Sequence, residues 1–251
     1  MGLNPVRDKL MRGEVSLGCW LNLVSPMAAE VLAVAGFDWL VVDAEHSQWD
    51  MDSLTHAFRA IEARGAVPMA RAWSHDPTVL ARLLDAGAMG IVLPHTSTPE
   101  QAEAAAKAMR FPPRGGRSAG SGRATLTHPD YRKLIDDAVL VIPQIEDMQG
   151  VENTEAIMSV AGVDVAFIGP NDLATSMGIP VDRQWKDPRH LDAIAKVLEG
   201  AKRAGKPAGV PVADGAAARK VIEQGFLFID TGSDMRKLRS AAVRELEIAR
   251  G

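Results

Sequence analysis

Between Val139 and Leu173 the chain reads VLVIPQIE (Val139 to Glu146), an amphipathic connector, and then VDVAFIGPNDL (Val163 to Leu173). Each run is apolar, rich in β-branched residues, and stops at a carboxylate: Glu146 in Gln144-Ile145-Glu146, and Asp172 in Gly169-Pro170-Asn171-Asp172. Consecutive parallel strands, buried on both faces, end this way. The two acids lie 26 positions apart, close to one βα unit, since a whole βαβ motif takes roughly 30 or more residues. Both carboxylates then stand at the same end of one sheet. Paired oxygen donors there suit a hard divalent cation that keeps positions open for water or substrate. Read singly, Glu146 is an ordinary helix cap and Asp172 a loop acid; the pair, each behind a buried strand, points to a site.

Working outward, the same pattern repeats. Ser16 to Leu23, Phe37 to Asp43, Val67 to Ala72, Met89 to Pro94, Val139 to Glu146, Val165 to Gly169, Pro207 to Val212 and Phe226 to Asp230 read as strands, eight in all. Helical patterns fill the gaps. Several open with proline behind a capping residue, as at Ser25-Pro26 and Asp76-Pro77, and several close at glycine, as at Gly87 and Gly225. A short helix, Pro5 to Met11, precedes the first strand, and a long one, Ser233 to Ala249, follows the last. Eight βα units predict an α/β fold, a closed (β/α)8 TIM barrel, with its active site at the carboxyl ends of the strands. The 251 residues match the size of one such barrel, typically about 250. No linker or low-complexity tract divides them, so a single domain over residues 1–251 is expected. A doubly wound open sheet is the competing topology. Against it, no GxGxxG loop follows an early strand, and GGRSAGSGR (Gly115 to Arg123) lacks the lysine-hydroxyl ending of a P-loop.

Composition narrows the function classes. A net charge of −4 leaves no footprint for nucleic acid or an anionic membrane. The single Cys19 excludes an internal disulfide framework and any multi-cysteine metal site. The N-terminal MGLNPVRDKLMRGE has no signal-peptide core, and no segment approaches 18 uninterrupted apolar residues. The cytoplasm is the expected compartment.

A barrel converges its strand ends on one mouth, which makes the polar residues there informative. Strand two ends in Asp43-Ala44-Glu45-His46-Ser47, strand three in Arg71, and strand four in Pro94-His95. Asp43 and Glu45 can orient the His46 imidazole and hold its pKa in a useful range. Arg71 closes an otherwise apolar strand, so its guanidinium needs an anionic partner: Asp43, Glu45 or a substrate oxyanion. Asp85, near the end of its helix, reads alone as a closing residue, and Trp20 equally as core or pocket wall. Gly169 to Asp172 opens a helix whose free N–H groups can cradle a carboxylate. His56, His75, His95, His128 and His190 show no metal-ligand spacing and read as surface or structural groups. The segment Phe111 to Ala138 reads as a long Gly- and Arg-rich loop, suited to a lid. No lysine falls at the carboxyl end of a predicted strand, which disfavours a Schiff-base mechanism and favours carbonyl activation by metal.

Taken together, these residues resemble the HpcH/HpaI aldolase/citrate lyase family, in particular its metal-dependent pyruvate aldolases of the 4-hydroxy-2-oxoheptanedioate type. The resemblance rests on Gly18-Cys19-Trp20, Val42 to Ser47, Arg71, Leu84 to Ala88, Phe111 to Gly115, Gly120-Ser121-Gly122-Arg123, Gln144 to Glu146 and Phe167 to Leu173. It implies that Glu146 and Asp172 bind Mg2+ or Mn2+, with Co2+ or Zn2+ as other candidates, and that the ion chelates pyruvate. It implies that Gln144 and the turn Gly169, Pro170, Asn171 and Asp172 position that substrate, with Asp43 beside them. Arg71 would stabilise the enolate oxygen, and His46, paired with Asp85, would transfer protons. Arg123 and Trp20 would line the aldehyde side, with a role for a neighbouring subunit left open. The resemblance further implies a homo-oligomer, a hexamer built as a trimer of dimers that exchange the helix Ser233 to Ala249. The expected reaction is reversible retro-aldol cleavage of a 4-hydroxy-2-oxo acid to pyruvate and an aldehyde. A CoA-thioester lyase of the citramalyl or malyl type is the alternative within the superfamily. A non-catalytic barrel subunit is the alternative outside it.

Overall fold

Eight strands, β1 (Ser16–Leu21), β2 (Trp39–Asp43), β3 (Val67–Arg71), β4 (Gly90–Leu93), β5 (Leu140–Ile145), β6 (Ala166–Ile168), β7 (Ala208–Pro211) and β8 (Phe228–Ser233), pair in sequence order, and β8 pairs back to β1. Every pairing is parallel. The expected closed barrel is therefore present in this computed structural model, which describes residues 3–120 and 122–251. Ser121, part of the Gly120 to Arg123 stretch, lies outside the described residues.

The barrel interior follows from the two-residue period of a strand. Trp39 and Val41 point inward from β2, Met69 from β3, Leu140 and Ile142 from β5, and Phe228 from β8, and they pack as one cluster with Phe167 of β6 and Trp20 of β1. Trp39 stacks on Phe228 with ring centroids 4.0 Å apart, and Phe167 meets Phe228 edge-on at 5.8 Å. Gly18 makes room for this layer, because a Cβ there would run into the Trp39 indole. One period higher on the same strands the apolar residues give way to Asp43, Arg71, Gln144 and Asp230. The polar mouth thus rests on an aromatic floor. At the opposite end α1 (Pro5–Met11) plugs the barrel with Val6 and Leu10. Its cap, Asn4, donates through Nδ2 to the carbonyls of Met89 (3.0 Å) and Ala138 (2.9 Å).

Outside the strands lie α2 (Pro26–Val34), α3 (Met51–Glu62), α4 (Pro77–Ala86) and α5 (Pro99–Ala108), and then α6 (Ala124–Thr127) and α7 (Tyr131–Ala138). They are followed by α8 (Met148–Ser159), α9 (Pro170–Ser176), α10 (Pro188–Arg203), α11 (Gly215–Gln224) and α12 (Asp234–Arg250). Helices α6 and α7 correct the expectation of a long irregular loop over Phe111 to Ala138. In α7, Tyr131, Ile135 and Ala138 recur at helical spacing and are buried, a stripe short enough to be masked by the glycines and charges around it. The final helix differs from the others. Of its 17 residues only Asp234 is buried, and Met235, Leu238, Leu246 and Ile248 are at least half exposed. Among the described residues no helix is long and apolar enough to cross a membrane.

Candidate active site

The two acids that opened the sequence reading stand at neighbouring strand ends, as expected from β5 and β6 being adjacent. Glu146 follows β5 and is 3% exposed. Its Oε1 accepts from the backbone N–H of His95 at 2.5 Å, and its Oε2 from the side-chain amide of Gln144. Asp172 lies in the first turn of α9, capped by Gly169, which has no side chain to satisfy the first N–H groups. A Cβ on Gly169 would collide with the Glu146 carboxylate and the Gln144 amide, so glycine is what lets the turn approach them. Burial pushes the Glu146 carboxyl above its usual range and the charge of Asp172 adds to that, against the two hydrogen bonds that favour ionisation.

On the other side of the mouth, Asp43 and Arg71 are register partners on β2 and β3. Arg71 donates from Nε to Asp43 Oδ1 (2.9 Å) and from Nη2 to Asp43 Oδ2 (2.6 Å), and Nε lies 3.2 Å from Glu45. This is the planar two-point fork that a lysine cannot form. Asn22 also donates to Asp43, at 2.9 Å. Burial raises the Asp43 carboxyl, but the Arg71 fork, its charge and the His46 N–H together outweigh that and hold it below the ordinary range. Arg71 in turn sits over the Trp20 ring, 5.4 Å from its centroid, and its Nη1 has no hydrogen-bond partner among the described residues.

Between these groups is a cavity of about 360 Å³, lined by Trp20, Asp43, Arg71, Gln144 and the whole turn Gly169, Pro170, Asn171 and Asp172. Those expected site residues are brought together. His46 stands at the rim, largely exposed, with Nε2 3.6 Å from Glu45. Asp85 and Arg123 are not at this mouth. Asp85 is near the C-terminal end of α4, which leads down to the amino ends of the strands, and it pairs with the fully buried Arg117 at 2.7 Å. Arg123 binds Glu62 and the Ala86 carbonyl at the same lower end. Within one chain, His46 and Asp85 are therefore not brought together, nor is Arg123 brought to the cavity: Asp85 is held by Arg117 and Arg123 by Glu62.

The sequence reading set His95 aside, yet its Nδ1 is 3.1 Å from Glu146 and its Nε2 3.8 Å from Glu45. Its backbone has φ +50, in the region L-residues seldom adopt. The signal available was its place as the first polar residue after β4. Asn22, Gln184, Asp230 and Arg236 also line the cavity and were missed as site residues.

Residues 16–241 match the model of one family, HpcH/HpaI aldolase/citrate lyase. The chain belongs to the HpcH/HpaI aldolase/citrate lyase family. It is 37% identical to hydroxypyruvate/pyruvate aldolase of Cupriavidus necator, over 95% of this chain and 90% of that one. It is 36% identical to 5-keto-4-deoxy-D-glucarate aldolase of Klebsiella pneumoniae, over 95% and 93%. A crystal structure of an HpcH/HpaI aldolase/citrate lyase family protein from Burkholderia cenocepacia J2315 superposes with a TM-score of 0.93 at 36% identity, covering 99% of this chain and 100% of that one.

Membership of the HpcH/HpaI family makes the chain an enzyme of the aldolase and lyase type, and its mouth can be tested for the divalent ion such chemistry calls for. Among the described residues no three His, Cys, Asp or Glu side chains gather as a closed metal cage. What is present is an open set: two carboxylates, one of them pushed toward protonation by its burial, with Arg71 already engaged elsewhere. Beside them the buried Oε1 of Gln144 has no partner. Oxygen donors that leave most of a coordination sphere free fit a hard cation that also binds substrate.

Proposed function

We propose that this HpcH/HpaI enzyme reversibly cleaves 4-hydroxy-2-oxo acids to pyruvate and an aldehyde, with Glu146 and Asp172 holding a divalent ion, Mg2+ or Mn2+ before Co2+ or Zn2+. The observation that carries the reading is the buried Glu146 beside Asp172, two like charges behind adjacent strands with no lysine or arginine paired to either among the described residues. When bound there, the ion would polarise the carboxylate and keto oxygens of the 2-oxo acid.

The chain's own groups account for the rest. In cleavage the C4 hydroxyl gives up its proton, the C3–C4 bond breaks, and its electron pair moves to form the C2–C3 enolate as the aldehyde leaves. Protonation of C3 then gives pyruvate. Arg71, held by Asp43 and Glu45 with Nη1 free, presents fixed positive charge toward an enolate oxygen, at no reorganisation cost during the reaction. Gln144 orients Glu146 through its amide, while Trp20 and Phe167, stacked at 5.4 Å, close the floor to water. His46 at the rim is the group suited to take the hydroxyl proton.

Its pairing with Asp85 then requires a second copy of the chain. The exposed apolar face of α12, together with Met27, Val31 and Val34 exposed on α2, supports the exchange of α12 between copies, since such stripes are normally buried. A hexamer arranged as a trimer of dimers is the assembly proposed.

The deciding experiment compares cleavage of a 4-hydroxy-2-oxo acid by wild type, Glu146→Ala and Asp172→Ala across added Mg2+ and Mn2+. Loss of metal-dependent cleavage in both variants, with unchanged circular dichroism, is expected. Normal turnover in either would remove the metal assignment.

A further inference from the structure

Asp230 is a carboxyl group in a place that neither the fold nor the reaction above explains. It stands one period above Phe228 on β8, in the interior layer of Asp43, Arg71 and Gln144, and lines the cavity while only 5% exposed. The other carboxylates buried around this mouth have evident work, Asp43 in the Arg71 fork, Glu146 at the proposed cation site and Asp234 accepting the backbone N–H groups of Asn22 and Leu23. Asp230 has no arginine or lysine bound to it among the described residues. It receives only backbone N–H groups, that of Gly232 at 3.1 Å and that of Trp20. Lys237 lies behind the strand, its ammonium bound to the carbonyls of Thr231 (2.5 Å) and Gly232 (3.2 Å). An ion pair holding the fold together is therefore not its role.

A second residue of the same cavity also carries an unpaired polar atom. Gln184, 6% exposed, ends the short 3-10 turn Val181–Arg183, and its Nε2 donates to Asn171 Oδ1 at 2.8 Å. Its Oε1 is buried without a partner. A carboxylate and an amide oxygen have one property in common here, an unmet capacity to accept hydrogen bonds. Asp230 belongs to β8 and Gln184 to the turn after α9, both away from Arg71 on β3, and with Pro211, Val212 and Ala213 they line the cavity; a 2-oxo acid seated at Gln144 and Asp172 would turn its aldehyde half toward them. Buried acceptors are costly when left unpaired, and the partner that suits them is a hydroxyl.

We propose that Asp230 and Gln184 are specificity-determining residues that accept hydrogen bonds from a hydroxyl on the aldehyde half of the substrate, so that hydroxyaldehydes are selected over their deoxy counterparts. This rests on the retro-aldol reading above. A site built to pair with a hydroxyl rejects the analogue that lacks it, because its own acceptors are then stranded.

The test runs the reaction in the synthetic direction at pH 8, with pyruvate as donor and glycolaldehyde or acetaldehyde as acceptor, two aldehydes that differ by one hydroxyl. The readout is the ratio of kcat/KM for the two. Wild type should favour glycolaldehyde, and Asp230→Ala should lower the ratio by about 10- to 100-fold, equivalent to one lost buried hydrogen bond at ~1–3 kcal/mol. Asp230→Asn, which keeps an acceptor oxygen, should recover part of it, and Gln184→Leu on a separate element should lower it again. A merely structural role would depress both acceptors alike and leave the ratio unmoved, and that result, or a wild type indifferent to the hydroxyl, overturns the proposal. Absence of any pyruvate addition, with pyruvate protons also failing to exchange in wild type, marks instead the failure of the underlying reaction, and the proposal falls with it.

Discussion

Arg71 and Asp43, side by side in register on β3 and β2, are joined by two parallel hydrogen bonds of 2.9 and 2.6 Å. The pair fixes the plane of the guanidinium over Trp20 and leaves Nη1 without a hydrogen-bond partner among the described residues. Arg71→Lys keeps the charge but cannot reproduce the fork. It should cut kcat for 4-hydroxy-2-oxo acid cleavage by about 10²–10³-fold, the usual loss of one preorganised donor, with a smaller effect on KM. A variant with kcat within about threefold of wild type would remove Arg71 from the role given to it.

Gly18 tests the packing beneath the mouth. Its missing side chain is the space the Trp39 ring occupies, and the ring is fully buried and stacked on Phe228. Gly18→Ala forces that stack to move, and overpacking of this kind costs ~1–3 kcal/mol or more. Urea unfolding of the variant should show the loss. Unchanged stability would mean that the aromatic floor has slack.

Asp230 gives a pH signature. Burial raises its carboxyl from 3.8 to about 7, against the pull of Lys237 and the two backbone N–H groups. Between those values the folded protein retains a proton that the unfolded chain has released, so the unfolded state binds fewer protons and stability falls as pH rises. The loss accumulates from about pH 4 to about pH 7, amounts to on the order of 4 kcal/mol, and levels off above. Asp230→Asn lacks this slope. The stability difference between variant and wild type should therefore move in the variant's favour from pH 4.5 to pH 8; a difference that stays constant would show Asp230 to be an ordinary acid.

The barrel was legible because its signals are local. Runs such as VLVIPQIE, proline after a capping residue and glycine at helix ends each act within a few positions, and all eight predicted strands overlap observed ones. The placement of Glu146, Asp172, Gln144 and Arg71 was legible for the same reason: Gln144 and Arg71 lie at the ends of apolar strands, Glu146 and Asp172 follow such strands closely, and the topology brings strand ends together. That Asp85 and Arg123 lie away from this mouth within the chain was not legible, because sequence order does not reveal which end of the barrel a helix terminus faces, and their partners Arg117 and Glu62 are distant in sequence. His95 and Asp230 each look like a polar residue at the edge of a loop; only the register of β4 and β8 turns them toward the mouth. The helix α7 was hidden by its brevity, and its buried stripe becomes visible only against the wall it packs on.

The central claim is that Glu146 and Asp172 hold an ion that lets this mouth form an enolate from pyruvate. Proton exchange of the pyruvate methyl group in D2O, followed by NMR with the enzyme alone, with EDTA, and with added Mg2+ or Mn2+, tests it without knowledge of the aldehyde. The account predicts exchange that EDTA abolishes, that either metal restores, and that Glu146→Ala lacks. Pyruvate that keeps its protons with every metal, or exchange indifferent to EDTA, would contradict it.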